Sequence, residues 1–360
     1  MRIANSLHVR YDKDVEYTRH WIIQQPTSHT EANQLEQAII IGAGPCGLSA
    51  AIELQRIGMN PLIIEKHCVV NSIYRYPTHL QFFSTPEMLE IGGMPFASPH
   101  DKPYRDEALV YYRKVAERYE LRIRSYEEVK HVHKEEDGSF TVHSTTRSGL
   151  SSSHRARYVV IATGYFDHPN MLGIPGETLP HVSHYFQEAH PYAGMNVVII
   201  GGNNSAVDAA LELMRVGAKV AVVYRGDELT AHIKPWVRPI FESMIAKGHI
   251  DMHYHSRVVC IEPDKVHIER NEGGTDVIAS DFVLALTGFR PDRTMLTASG
   301  IELQSDREKP VFDPDTMETN VPGLYVAGVI SSGRDANEIF IESGRHHGKL
   351  IANHLEQQSR

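Results

Sequence analysis

The stretch from Ala38 to Lys66, AIIIGAGPCGLSAAIELQRIGMNPLIIEK, contains an apolar run, a glycine-rich turn, a segment of helical periodicity and a second apolar run. That order is typical of a β-α-β dinucleotide-binding unit. Gly42 allows the tight turn, Gly44 lets the backbone approach a pyrophosphate, and Gly47 lets the helix pack closely on the strand. Glu65 is expected to accept hydrogen bonds from ribose hydroxyls. The predicted cofactor-binding residues of this unit are Gly42, Gly44, Pro45, Gly47, Glu65 and Lys66.

The opening unit recurs 159 positions later, where VVIIGGNNSAVDAALELMRVGAKVAVVYRG aligns with it without a gap. Gly42 corresponds to Gly201 and Gly47 to Ala206. A repeat of this length indicates either two dinucleotide sites or the duplication of one ancestral domain. Its predicted cofactor-binding residues are Gly201, Asn203, Ser205, Ala206 and Arg225.

The two copies differ in ways that predict different ligands. The position of Glu65 is taken by Tyr224 in the second copy, and Arg225 follows it. A carboxylate would repel a 2′-phosphate, whereas an arginine can pair with it through two hydrogen bonds, so the second unit favours NADPH over NADH. Asn203 replaces Gly44, and we expect the site to persist because asparagine tolerates positive φ better than other residues with a Cβ.

The bulk properties exclude several classes of function. The chain has 360 residues, which suggests two or three domains, and it carries 36 basic against 45 acidic residues. No basic surface for nucleic acid or anionic lipid is expected, and no apolar run approaches the ~20 residues that span a bilayer. The N-terminus lacks a signal-peptide pattern, so a cytoplasmic location is expected.

Cysteine and histidine usage offers neither a disulfide framework nor a metal site. The three cysteines are scattered and no Cys-x-x-Cys occurs. Among 22 histidines, the pairs His131 with His133 and His253 with His255 have no third ligand at metal spacing, so no metal is predicted.

The segment from Asn71 to Phe96 is aromatic, interrupted by prolines, and neither helical nor strand-like in period. Loops this long are usually functional or disordered, and this one is too rich in aromatic and aliphatic residues for disorder. One interpretation is that its aromatic residues pack in the core, and the other is that they line a substrate or flavin pocket. The pocket candidates are Tyr74, Tyr76, His79, Phe82, Phe83 and Ser84.

Several motifs resemble those of two-dinucleotide-domain flavoproteins of the thioredoxin-reductase-like group, over about residues 38–355. The first glycine-rich turn resembles their FAD motif and the second their NADPH motif. YVVIATGYFDHP and VLALTGFRPD resemble their two Thr-Gly crossovers, and TNVPGLYVAG resembles a second flavin-contacting motif. Within the group, Cys46, VNSIYRYPTHLQFFST and IFIESGRHHG resemble the bacillithiol disulfide reductase family.

The resemblance implies an α/β fold with two Rossmann-like domains. After an N-terminal extension, residues 1–37, an FAD-binding domain would comprise 38–166 and 287–360, with an NADPH-binding domain, 167–286, inserted. A final helix from about Asn337 would direct its N-terminus at the flavin. Val329 stands where thioredoxin reductases have an aspartate that holds the ribityl chain, so that contact must come from elsewhere, such as a backbone amide. The flavin contacts that the resemblance adds are Thr163, Gly164, Gly288, Gly328, Val329 and Ile339.

The resemblance further implies an FAD-bound, NADPH-dependent enzyme that reduces the disulfide of a low-molecular-weight thiol, with Cys46 as the reactive thiol. The first helical turn should lower the pKa of Cys46, while a neighbouring pyrophosphate should raise it. Ser205 occupies the equivalent position, so Cys46 is alternatively a small packing residue. Two other functions stay open: an NADPH reductase for ferredoxin or flavodoxin, and a non-enzymatic flavin redox sensor. The sequence leaves open whether the chain forms a homo-oligomer.

Overall fold

The computed structural model describes residues 34–334 and 336–358. Most of the predicted extension, residues 1–37, lies outside the described residues, and the first strand already begins at Leu35 rather than Ala38. In the described part of the chain, no helix has both the length and the apolar character needed to cross a membrane.

Parallel sheets with helices on their faces dominate the architecture, which confirms the predicted α/β class. The strands are β1 Leu35–Ile41, β2 Leu62–Glu65, β3 Arg122–Ser125, β4 Glu127–Lys134, β5 Phe140–Thr146, β6 Ser151–Ile161, β7 Val182–Ser183, β8 Asn196–Ile200, β9 Lys219–Val223, β10 Ile250–His253, β11 Ser256–Ile261, β12 Lys265–Arg270, β13 Thr275–Ala279, β14 Phe282–Ala285 and β15 Leu324–Val326. The helices are α1 Pro45–Arg56, α2 Asn71–Tyr74, α3 Pro86–Leu89, α4 Arg105–Arg118, α5 Asn204–Arg215, α6 Arg238–Ala246, α7 Arg293–Ala298, α8 Ile341–Gly344 and α9 His347–Gln358.

Three sheets organise these elements. The first has the order β3-β2-β1-β6-β5-β4, in which β1, β2, β3 and β6 are parallel, β4 and β5 form an antiparallel extension, and β15 pairs with β6. The second, β10-β9-β8-β14-β7, is parallel throughout. A small antiparallel sheet, β11-β12-β13, covers one side of it.

The sequence repeat is also a structural repeat. The amide of Gly42 donates to the carbonyl of Ile64 at 2.9 Å, and that of Gly201 donates to Val223 at 3.1 Å. Both glycines have positive φ, +108° and +143°, and a Cβ on each would lie 2.5 Å from the carbonyl oxygen of the residue that follows a neighbouring strand, Ala162 after β6 and Leu286 after β14. Both turns therefore require glycine, because of the positive φ and because of the close carbonyl oxygen. The two units thus share the same turn geometry.

The buried cores follow the two units. One cluster of buried apolar side chains is drawn from residues 38–162 and 296–355. Two further clusters are drawn from residues 186–284 and 198–285, which pack on the two faces of the second sheet. The segments that lead between the units pair with each other, since Pro169 and Phe289 form an antiparallel bridge.

The end of the chain differs from the predicted single helix. A 3-10 turn spans Ala336–Glu338, α8 covers one turn from Ile341, and α9 begins at His347. A long helix from Asn337 is therefore wrong. The breaks fall at residues 339–340 and 345–346, and α8 ends at Gly344, a residue of low helix propensity in the closely packed region described below.

Candidate functional site

The first glycine-rich turn is shaped as a cradle for a pyrophosphate. Gly44 precedes α1 with extended backbone, and a Cβ built on it would have no atom within 4 Å. No side chain caps the first amides of α1, and Pro45 lies in its first turn. Exposed amides at a helix N-terminus bind anionic groups, and the open face at Gly44 gives them access. The residues present therefore fit the FAD that the sequence predicts here.

Gly47 brings α1 against the strand. A Cβ on Gly47 would lie 2.0 Å from the carbonyl oxygen of Gly42. On its other side α1 meets α9, where a Cβ on Gly348 would lie 2.5 Å from Cα of Ala50. The hydroxyl of Ser49 also donates to the carbonyl of Arg345 at 2.7 Å. Helix α1 is therefore closely packed on both sides, against the first glycine-rich turn and against α9.

Glu65 supports this turn from the end of β2. One carboxylate oxygen accepts from the Ala43 amide at 2.7 Å, and the other accepts from the His67 amide at 2.8 Å. Burial raises the pKa of Glu65. The carboxylate therefore already fixes the turn, and its contact with a ribose stays a prediction. Lys66 points to carboxylates instead, with its Nζ 3.4 Å from Glu128 and 3.9 Å from Asp167.

Cys46 joins the first turn to the end of the chain. Its Sγ lies 2.8 Å from the place where a Cβ on Gly328 would stand, and 2.9 Å from that of Gly344. The residue keeps some exposed surface, but burial raises the pKa of its thiol to about 12. The helix N-terminus alone was expected to lower that pKa, and burial outweighs it. The thiol is therefore protonated at neutral pH.

The motif around Gly328 is fixed from α9. The Gly328 amide donates to Nδ1 of His347 at 3.1 Å, and burial lowers the pKa of His347 to about 4. The imidazole is therefore neutral, with Nδ1 as acceptor. The carbonyl of Val329 accepts from the amide and the hydroxyl of Ser332. The Val329 side chain is apolar, so a ribityl contact from another group stays a prediction. Ile339 packs beside Gly344.

Thr163 and Gly164 follow directly on the strand that faces the turn. The Ala162 amide donates to Ile41 at 2.8 Å, and the carbonyl of Ala162 lies over Gly42. The second crossover is tied to the first, because the Asn170 amide donates to the Gly288 carbonyl at 2.9 Å.

The second glycine-rich turn differs in detail from the first. Asn203 precedes α5 with φ −102°, so the argument from positive φ is wrong at this position. Its side-chain oxygen instead accepts from the hydroxyl of Thr230 at 2.8 Å. No side chain caps α5, and Ser205 is exposed in its first turn. Ala206 places a Cβ where the first copy has glycine, and that Cβ would lie 3.4 Å from a Cβ built on Gly201.

Tyr224 and Arg225 occupy the end of β9. The ring of Tyr224 packs over Gly202 and Gly226, where any Cβ would collide with it. Arg225 is exposed, and within residues 34–334 and 336–358 no ion pair to it is found. A guanidinium in that position can donate hydrogen bonds to a 2′-phosphate, which fits NADPH.

The aromatic segment divides into buried and exposed residues. Tyr76 packs edge-on against Phe82 at 6.3 Å and against Phe166 at 5.1 Å, and burial raises its pKa. Phe82 is buried, whereas Tyr74 and His79 are exposed. The structure therefore gives Tyr76 and Phe82 the packing role and does not bring Tyr74 or His79 into a shared pocket with them.

Phe83 and Ser84 make contacts that the sequence did not indicate. The Ser84 hydroxyl donates to the carboxylate of Glu342 on α8. Phe83 is 55% exposed and its ring lies 5.6 Å from that of Trp236, which belongs to the second unit. Arg345, which follows α8, also binds this segment, since its Nη1 donates to the carbonyls of Glu87 and Glu90 at 2.7 and 2.6 Å. No local sequence signal identifies these partners.

Disulfides, metal sites and surface cavities add no further functional group to the two glycine-rich turns. All three cysteines are free. Within the described residues no group of three or more histidine, cysteine or carboxylate side chains is arranged to hold a metal ion. A surface cavity of about 530 Å³ is lined by residues of the β4–β5 hairpin and by Arg155, with no residue of either turn.

Comparison with known proteins agrees with this geometry. Residues 39–328 match the family described as pyridine nucleotide-disulphide oxidoreductase. Bacilliredoxin reductase Bdr of Bacillus subtilis (strain 168) is 48% identical over 317 residues, which cover 88% of this chain and 96% of that protein. The structure of bacillithiol disulfide reductase Bdr (YpdA) from Bacillus cereus is 47% identical with a TM-score of 0.88, covering 90% of this chain and 100% of that one. The Staphylococcus aureus structure of the same name is 45% identical with a TM-score of 0.86, covering 91% and 100%.

Proposed function

Because the chain belongs to the pyridine nucleotide-disulphide oxidoreductase family, and is an enzyme with FAD and a nicotinamide dinucleotide as its cofactors, we propose that it uses NADPH to reduce bacillithiol disulfide. Two solved structures at 45% and 47% identity carry the name bacillithiol disulfide reductase, which supports this acceptor. The observation that carries the proposal is the position of Cys46, whose sulfur lies between the pyrophosphate turn and the motif at Gly328.

In the proposed reaction Cys46 undergoes thiol–disulfide exchange. Its sulfur attacks one sulfur of the acceptor, a bond forms between them, and the acceptor disulfide breaks to release one thiol. FAD held at the first glycine-rich turn would supply the redox chemistry that connects NADPH to the mixed disulfide, whose reduction frees the Cys46 thiol and the second thiol of the acceptor. Overall, one disulfide, one NADPH and one proton give two thiols and NADP⁺.

The protein's own residues position the sulfur and protect it. Gly328 and Gly344 leave room for Sγ, and His347 holds the Gly328 amide. Because only the thiolate attacks a disulfide and burial raises the pKa of the Cys46 thiol to about 12, the thiol must lose its proton before it attacks. The acceptor-dependent kcat/KM should therefore rise with pH through the neutral range if loss of this proton limits the reaction.

The NADPH preference, the domain division and the location belong to the same proposal. Arg225 supports NADPH, because it is exposed at the end of β9. The separate buried cores support an FAD-binding domain of residues 38–166 and 287–360 and an inserted NADPH-binding domain of residues 167–286. A reaction that maintains a reduced thiol pool belongs in the cytoplasm.

A protein acceptor is the second candidate. The Bacillus subtilis relative is named a bacilliredoxin reductase, which favours a protein disulfide over a free small molecule. The dithiol motif that thioredoxin reductases use on a protein substrate is missing, so the resemblance to that group does not extend to a protein disulfide. The names of these relatives do not favour a ferredoxin or flavodoxin reductase or a redox sensor.

The test compares NADPH oxidation by the purified enzyme with bacillithiol disulfide, oxidised bacilliredoxin, glutathione disulfide, ferredoxin and oxygen. We expect the highest kcat/KM with bacillithiol disulfide. Cys46→Ala should lose disulfide-dependent oxidation while it keeps its flavin, and Cys260→Ala, in the small antiparallel sheet, serves as the matched control. Unchanged disulfide-dependent oxidation by Cys46→Ala at full FAD occupancy would remove Cys46 from the mechanism.

A further inference from the structure

The loop of residues 230–236, here called the linking loop, has contacts at both of its ends. One end contacts the second glycine-rich turn, residues 201–204, here called the nucleotide turn, and the other contacts residues 81–84 of the first unit, here called the flavin-side segment. We propose that this loop transmits the position of the bound nicotinamide nucleotide to residues 81–84, and that Lys234 is the positioning residue for hydride transfer between the two sites. The inference rests on the two dinucleotide sites and not on the identity of the acceptor.

The first end of the linking loop is bound to the start of α5. The Asn204 side chain donates to the carbonyl of His232 at 2.8 Å and accepts from the amide of Lys234 at 2.8 Å. The Thr230 hydroxyl donates to Asn203 at 2.8 Å. These asparagines form the turn where the nucleotide pyrophosphate would sit, so a ligand that moves them also moves the loop.

The second end reaches the FAD-binding unit at two points. Nζ of Lys234 is paired with Asp208 at 2.8 Å and also lies 3.4 Å from the carbonyl oxygen of Gln81. Lys234 is only 9% exposed, so this ammonium is held in a nearly dry position where its hydrogen bonds are worth more than at the surface. Both partners are therefore required to compensate its burial.

Two residues farther along, an aromatic contact repeats the link. The rings of Phe83 and Trp236 are 5.6 Å apart at an interplanar angle of 32°. Nζ of Lys102 lies 4.9 Å from each ring centre and donates to the carbonyl of Phe83. The pairs 81 with 234 and 83 with 236 thus form a two-point contact between the units, and residue 84 continues it to Glu342 on α8.

This arrangement explains why a half-exposed tryptophan and phenylalanine are placed at the boundary between the units. The two contacts of the linking loop, at Lys234 and at Trp236, restrict the relative orientation of the units more than a single flexible contact would. Hydride transfer depends steeply on the alignment of donor and acceptor atoms. Within one short stretch, the linking loop contacts the nucleotide turn through Thr230 and Lys234 and the flavin-side segment through Lys234 and Trp236.

The test uses the flavin-loaded full chain and the anaerobic half-reaction with NADPH, which needs no disulfide. In Lys234→Met, we expect the saturating rate of flavin reduction to fall about tenfold, while the Kd for NADP⁺ stays within about twofold. The matched control is Lys247→Met, an exposed lysine at the end of α6. Phe83→Leu, which removes the ring from the other unit, should slow the same step and provides the test if Lys234→Met does not fold.

Tryptophan fluorescence gives a readout that does not depend on turnover. The chain has two tryptophans, and subtraction of the Trp236→Phe signal isolates Trp236. NADP⁺ should change the Trp236 emission in the wild type and not in Lys234→Met. A tenfold loss of NADP⁺ affinity with an unchanged saturating rate would overturn the proposal, because Lys234 would then be a nucleotide ligand. Unchanged rates in both variants would also overturn it.

Discussion

Replacing Gly47 by alanine should destabilise the first unit itself, because α1 has no room to move. The new Cβ would lie 2.0 Å from the carbonyl oxygen of Gly42, and reaching the 3.4 Å of ordinary contact requires a shift of roughly 1.4 Å. Moving α1 outward is blocked by α9, since Ala50 already touches Gly348. Neither obstacle is a flexible side chain.

The expected cost lies at the upper end of overpacking in a close-packed core, about 3 kcal/mol. For a domain of this size, that corresponds to a loss of roughly 6–12 °C in Tm. The second copy has Ala206 at the equivalent position, so the glycine at position 47 is a requirement of the packing of α1 and not of the repeat as a whole.

Gly44→Ala is the matched control, since it adds the same methyl group three residues earlier. Nothing lies within 4 Å of its Cβ, and the backbone there has φ −73°, which alanine adopts without strain. We expect Gly44→Ala to keep the stability of the flavin-free protein and to lose FAD affinity, because its methyl group would enter the space meant for the pyrophosphate.

Urea unfolding of the flavin-free proteins separates the two effects, because bound FAD itself stabilises the folded state. FAD affinity is measured in parallel by fluorescence titration. If flavin-free Gly47→Ala unfolds at the wild-type urea concentration, the close packing of α1 described above is wrong. If Gly44→Ala binds FAD as tightly as the wild type does, the pyrophosphate does not lie over Gly44.

Two further predictions concern the nucleotide preference and the pH dependence of stability. Arg225→Gln should raise the KM for NADPH about 10- to 100-fold by removing a charge-assisted contact worth about 1.5–3 kcal/mol, and should leave the KM for NADH nearly unchanged; equal effects on both cofactors would argue against a 2′-phosphate contact. Burial alone would raise the pKa of Glu127, but its hydrogen bonds with His154 and Ser144 more than offset this and lower it. A lowered folded pKa stabilises the fold above the ordinary value near 4.5, so stability should fall as the pH drops below it. Glu127→Gln should flatten that dependence in urea unfolding between about pH 3 and 5.

The features that the sequence predicted depend on neighbouring residues. The two glycine-rich turns, the α/β class and the repeat follow from local patterns, and the structure has all three. The links of Ser49 to Arg345 and of Ser84 to Glu342 join residues 296 and 258 positions apart, and no periodicity encodes such pairs. The division of the predicted final helix into a 3-10 turn, α8 and α9 is not visible in the sequence either. The presence of glycine at position 344 reflects what packs on it, Cys46 and Gly328, and not helix propensity.

Cys46 shows why a local argument about charge can fail. Its place in the first turn of α1 predicts a lowered pKa, since free amides favour a thiolate. The dipole effect is typically below 1 kcal/mol at an exposed site, whereas burial of a charge without a partner costs several. Which of the two prevails depends on Gly328 and Gly344, about 300 residues away, so only the tertiary structure determines the sign.

Gly344 distinguishes a site built around the sulfur from a turn that merely tolerates any small residue. Gly328 has φ +80° and would be glycine for backbone reasons alone, but Gly344 lies in α8 without such a requirement. Glycine in a helix costs about 1 kcal/mol relative to alanine. An alanine there would place its Cβ 2.9 Å from Sγ of Cys46 and 3.0 Å from Cα of Gly328. The chain therefore accepts a less stable helix where a methyl group would collide both with the sulfur and with Cα of Gly328. The sulfur of Cys46 thus fills a closely fitted space, and its redox role stays a prediction.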